Sequence, residues 1–151
     1  MLSQVSNPEP HEQLERIFCA LPLGIDEPLW ARPLGENQYE VLSIPFLTAD
    51  LNFKDTVYAQ ASSVNQRLYI RQVIHQSGHK TLHIVFEKAS EAQRREILNH
   101  LSFMQTRYES PAELEGSYTV DIAPQCDYTS ILNYLRALEN QGLLDLIVMG
   151  T

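Results

Sequence analysis

Three histidines, His75, His79 and His83, recur at four-residue intervals. On one face of a helix that spacing would gather three imidazoles, a ligand type that holds zinc. The interval contains Ser77-Gly78, which argues against an unbroken helix. Beyond it Leu82, Ile84 and Phe86 alternate with Thr81, His83 and Val85, as in a strand. At ~3.3 Å per residue, strand histidines four apart stand about 13 Å from one another. One zinc ion with ligands at about 2.0–2.1 Å cannot hold both. Residues 74–86 are therefore read as a seam between two differently patterned halves, implying no metal and no cofactor. His79 and Lys80 sit beside a glycine turn, where they can line a groove.

The remaining chemistry-bearing residues make a thin catalytic case. Cys126, in Pro124-Gln125-Cys126-Asp127, precedes a helix start, a place that lowers a thiol pKa. A nucleophile there also needs a base, which only the fold can bring from His79 or His100. Asp26-Glu27 has no spacing that marks a glycosidase couple, and the phosphate-cradling, serine-elbow and HExxH zinc motifs do not occur. The expectation is a protein that is not an enzyme. Arg67, Tyr69 and Arg71 alternate onto one strand face and, with Tyr58, form an aromatic-basic group of the kind that stacks single-stranded bases. Trp30 reads as a core anchor.

The elements that must position these residues follow from periodicity. Pro10 suits a first helical turn, and Leu14, Ile17, Phe18 and Leu21 recur at helical spacing. Residues 1–26 thus read as a polar tail with a short amphipathic helix ended by Pro22-Leu-Gly24. Residues 27–78 read as a small antiparallel barrel-like subdomain. Its strands are 29–34, 39–44, 56–60 and 67–74, with a turn at Gly35 to Gln38. Residues 79–151 read as a strand, a helix over about 91–103 capped by Ser90 and Gln93, and paired strands at 107–109 and 118–122. A helix capped by Asp127 and stopped near Gly142 follows, then a strand at 146–149. That order, β-α-β-β-α-β, is the ferredoxin-like arrangement. The expected class is α+β, with a barrel-like N-terminal half and a ferredoxin-like C-terminal half.

Charge narrows the partners. The net charge is −8 and the pI near 5, which disfavours a general phosphate-backbone binder. Residues 1–63 carry nine acids against three bases, 64–107 three against seven, and 109–151 seven against one. Two acidic flanks around a basic middle suit a charged partner steered to one face. The two cysteines, Cys19 and Cys126, lie far apart and form no disulfide framework. Acids at Glu9, Glu12 and Glu15 interrupt the start, so no signal peptide is expected, and the apolar runs fall short of the ~18 residues of a membrane span. The expected location is cytoplasmic.

The blocks LWARPL, YEVLSIPF, Asp55-Thr-Val57 and SGHKTLHIVF resemble the signature blocks of a bacterial family of domains of unknown function. The resemblance runs from about Leu29 to the C-terminus. It implies a compact α+β fold and no particular reaction.

A small, acidic protein of this kind has the profile of an immunity protein that binds and neutralises a basic toxin domain. Its expected contacts are Glu109, Glu113, Glu115, Asp121 and Asp127, with Tyr108 and Tyr118 as aromatic anchors. The alternatives are a nucleic-acid or small-ligand-binding regulatory module using the Arg67-Tyr69-Arg71 face, and an enzyme using His79 and Cys126.

Overall fold

The structure, a computed structural model, describes residues 13–111 and 114–149. Over these residues it is α+β, with two sheets and two α-helices. Strands β1 (Glu15–Leu21), β2 (Ile25–Gly35), β3 (Gln38–Val41), β4 (Thr56–Ala61) and β5 (Leu68–His75) form the first sheet. Sequential neighbours pair antiparallel, and β1 also meets β5 in parallel through Ile17↔Leu68 and Phe18↔Tyr69, which closes the sheet on itself. Ile17, Leu29, Ala31, Val41, Val57 and Ala59 point inward and are fully or almost fully buried. The β2–β3 hairpin turns through Glu36 and Asn37, both at positive φ (56° and 64°). Two left-handed residues in a row match the right-handed twist of the flanking strands.

The second half runs β6 (Lys80–Val85), α1 (Glu91–Phe103), β7 (Arg107–Glu109), β8 (Ser117–Ile122), α2 (Tyr128–Asn140), β9 (Asp145–Val148). Its sheet has the order β7-β8-β6-β9 with every pairing antiparallel. Ser90 and Gln93 complete a capping box at the start of α1. Asp127 caps α2 by accepting hydrogen bonds from the backbone N–H and hydroxyl of Ser130 (3.1 and 2.7 Å). Leu82, Ile84, Val120 and Ile122 project from one face of the sheet onto Ile97, Leu101, Ile131 and Leu135 of the two helices. Burial of that layer supplies the main stabilisation of this half.

Two expectations are corrected. Residues 15–21 are a strand and not an amphipathic helix, and position 26 falls inside β2, so the N-terminal segment is part of the first sheet. The apolar residues 14, 17, 18 and 21 fit a helical stripe, yet Ile17 and Cys19 are the ones buried. Pairing on both sides, with β2 and β5, outweighs a short local pattern. The polar tail and a helix start at Pro10 lie outside the described residues. Trp30 is not a core anchor: it is 44% exposed on the outer face of β2, with the Arg16 guanidinium 4.0 Å above its ring.

The other face of the second sheet is polar. Register places Arg107, Asp121 and Thr81 in one cross-strand row and Glu109, Thr119 and His83 in the next. The long β3–β4 connection, residues 42–55, covers this face. Phe46 stacks edge-on to His83 (4.4 Å between centroids) and Phe53 to His79 (5.4 Å). The Thr81 hydroxyl donates to the Asn52 side-chain carbonyl (2.7 Å).

Candidate functional site

The joint between the halves is built on buried carboxylates. Asp55, 1% exposed, accepts backbone hydrogen bonds from Asn52 (2.9 Å) and from Ser77 in the β5–β6 linker (2.8 Å). The Ser77 hydroxyl donates to the Phe53 carbonyl (2.7 Å) and accepts from the His79 N–H (3.1 Å). Glu27, also buried, accepts the backbone N–H groups of Phe46 (2.6 Å) and Thr48 (2.8 Å) and the Thr48 hydroxyl (2.6 Å). Strand alternation splits the Asp26-Glu27 pair: Glu27 goes inward, while Asp26 goes outward to Tyr69 and Arg67.

His79 closes the joint. Its Nδ1 lies 2.9 and 3.0 Å from the two oxygens of Asp121, which is 2% exposed. Burial raises the Asp121 carboxyl above its ordinary range, while His79, Arg107 and Lys54 pull it back down. With Nδ1 held by the carboxylate, Nε2 is the ring atom left for other partners. His79 separates two clefts. One, of about 230 Å³, runs past Asp50, Asn52, Lys80 and Tyr128. The other, of about 600 Å³, is walled by Lys54, Gln105, Arg107, Asp121 and Gln125.

The three regularly spaced histidines thus have three separate environments. His75 ends β5 opposite Thr56 and is exposed, His79 pairs with Asp121, and His83 sits against Phe46. Among the described residues no three His, Cys, Asp or Glu side chains group to hold a metal ion. The Cys126 thiol faces the Gln105 carbonyl at 3.6 Å, beside the larger cleft.

The residues expected to meet a partner do not form one patch. Tyr108 and Tyr118 meet edge-to-face (5.8 Å) and share a cleft of about 360 Å³ with Glu115, Glu91, Arg94 and Arg95. Gly116 is required there, since a Cβ would stand 2.7 Å from the Phe86 carbonyl oxygen. Glu109 projects to the opposite face of β7, toward the 42–55 connection. Burial raises its carboxyl, Asp121 adds to the rise, and Arg107 and the Ile44 backbone N–H oppose it. Asp127 is exposed but tied up as the α2 cap. Asp121 is corrected outright: a carboxylate buried against His79 is not a surface contact. Glu113 lies outside the described residues.

The aromatic-basic face is larger than Arg67, Tyr69 and Arg71. Arg67 stacks over Phe18 (4.5 Å), Arg71 reaches over Tyr69 (5.8 Å), and Arg16 covers Trp30 next door. Reading residues 14–21 as a helix hid Arg16 and Phe18, and reading Trp30 as core hid the third ring.

Two sheets, with helices on one face of the second and a buried polar joint between them, define an α+β protein. The chain belongs to the family described as "Domain of unknown function (DUF4265)", whose model matches residues 27–146. Its fold is similar to that of a hypothetical protein from Neisseria gonorrhoeae, with a TM-score of 0.77 at 15% identity over 93% of this chain and 96% of that one. At that identity the likeness is one of fold. No curated protein matches the chain. Among the described residues no helix is long and apolar enough to cross a membrane.

His83 makes the joint sensitive to acid. Its Nε2 is buried without a hydrogen-bond partner, and burial lowers its pKa below the ordinary 6.5, with Glu27 opposing. As pH falls, the unfolded chain takes up this proton before the folded one does. The stability His83 contributes is therefore complete above its unfolded pKa and is lost as pH falls below it. The urea midpoint should drop between about pH 7.5 and about pH 5.5, and His83→Phe should flatten that drop. An equal drop in both proteins would remove His83 as its source.

Proposed function

We propose that this protein is a non-catalytic binding protein of the immunity type, which stays in the cytosol and neutralises a basic toxin domain by covering it. One observation carries the reading: two partly buried tyrosines stand in contact at the edge of the second sheet, with Glu115 in the same cleft. Tyrosines combine a large apolar area with a polar tip and few rotatable bonds, the profile of interface anchors. β7 is an edge strand of three residues, and edge strands offer backbone groups to a partner. The net charge of −8 would speed association with a cation-rich domain. In this reading the second half is a ferredoxin-like unit, supported by its β-α-β-β-α-β order and antiparallel β7-β8-β6-β9 sheet. The first half is a small barrel, supported by the β1–β5 pairing.

The test is to express the reading frame immediately upstream, which this reading expects to encode a toxin-like domain, with and without this protein. Growth should be restored and a 1:1 complex recovered. Tyr118→Ala should weaken that complex by roughly 30-fold, the scale of a central aromatic anchor. Glu115→Lys should slow association most at low salt. No rescue and no complex would reject the reading.

A second reading is favoured by the three guanidinium–aromatic stacks on the first sheet: single-stranded nucleic acid laid across Trp30, Phe18 and Tyr69. Trp30 is the only tryptophan of the chain, so its fluorescence reports directly on that face. Salt-sensitive quenching by a short single-stranded oligonucleotide, lost in Arg16→Ala, is the expected result. Unchanged emission at low salt would exclude it.

A further inference from the structure

We infer that the larger cleft at the joint is a binding site for a small oxyanion-bearing molecule, a phosphate ester or a carboxylate. Its hydrogen-bonding side chains are mostly donors. Lys54 comes from the long connection of the first half and Arg107 from the edge strand of the second. His79 comes from the linker, and the amides Gln105 and Gln125 come from the ends of two further loops. The one carboxylate in the wall, Asp121, is buried and paired with His79. Asp121 also attracts Arg107, its cross-strand neighbour, and Lys54, while Glu109, the other acid that attracts Arg107, does not line the cleft. Cations therefore outnumber anions inside it, and a bound oxyanion would meet ammonium, guanidinium and amide N–H groups together.

The cations are held in place. The Arg107 guanidinium lies 4.8 Å and the Lys54 ammonium 5.9 Å from the centre of the Phe53 ring, and His79 meets the same ring at 5.4 Å. One buried aromatic thus organises all three nitrogen groups. Lys54 and Gln105 both have left-handed backbones, at φ 70° and 69°. Local turns set both conformations: Gln105 ends α1, with the Thr106 N–H donating to the Leu101 carbonyl (3.2 Å), and Lys54 lies inside the turn in which the Asp55 N–H donates to the Asn52 carbonyl (3.2 Å). The rear wall is fixed as well. At Gly78, φ is 92° and a Cβ would stand 3.0 Å from Pro124 Cγ, so linker and wall are in close contact. About 600 Å³ leaves room for a small metabolite and not only a bare ion.

The site is independent of the tyrosine cleft, so its failure and the failure of the toxin-binding reading are separable. The experiment is a titration of the full chain, at constant ionic strength, with inorganic phosphate in one arm and citrate in the other, followed by backbone amide chemical shifts. Saturable shifts centred on Lys54, Gln105, Arg107 and Gln125 are expected in at least one arm, and the arm that saturates names the source of the oxyanion. Lys54→Gln and Arg107→Gln, both at exposed positions, should each weaken binding about tenfold or more while leaving the rest of the spectrum in place. The inference is overturned if neither anion saturates, if the shifts scatter over the surface arginines, or if both variants bind as the native chain does.

Discussion

The carboxylate of Asp55 is the constraint on which the two halves depend. It is almost fully buried, and the groups that satisfy it are two backbone N–H donors from different parts of the chain, Asn52 and Ser77. Buried charge is tolerated only when it is hydrogen-bonded, and bonds to a charged acceptor are stronger than neutral ones. One side chain thereby fixes where residues 42–55 end and where the β5–β6 linker turns. Removing it would strand two donors, each at a cost of about 1–3 kcal/mol.

Once that connection is fixed, the polar face of the second sheet has a cover. Thr81, Thr119 and Asp121 are buried on a side where the sheet has no helices. Without Asn52 and Phe53 above them they would face water, and the packing of the sheet would be one-sided, as is common for antiparallel sheets. The cover also decides what is left outside. Cleft walls form where Lys54 and Arg107 project past the edge of Phe53, and the Tyr108–Tyr118 pair emerges on the helix side of the same edge strand. Charges that the sequence offers as surface groups are divided accordingly: Glu27, Asp55 and Asp121 hold the interior together, while Glu115 stays in solvent.

Much of the second half was legible in the sequence because its signals are local. Ser90 with Gln93, Asp127, and the Leu82-Ile84-Phe86 alternation are settled within a few residues, and the helices form over 91–103 and 128–140 as the caps imply. Residues 15–21 were misread because six or seven residues carry too little periodicity to separate helix from strand, and the deciding partners, β2 and β5, lie elsewhere in the chain. The site was harder still. Phe46, Asn52, Phe53 and Asp55 sit in a connection without regular structure, so no period marks them. Their importance arises from contacts with residues 77–83, from 22 positions away for Asp55–Ser77 to 37 for Phe46–His83. The Asp55-Thr-Val57 block and the glycine turn before His79 were visible as landmarks, but nothing in the sequence paired them.

If the Asp55 tie makes the two halves one cooperative unit, separate probes of each half must agree only while the tie is intact. Trp30 lies in the first sheet, and α1 and α2 both lie in the second half. Tryptophan fluorescence and the far-UV helix signal therefore report different halves in one urea titration. The two curves should superimpose for the native chain and separate for Asp55→Ala, with the midpoint of at least one half lowered. Superimposed curves with an unchanged midpoint in Asp55→Ala would contradict the account.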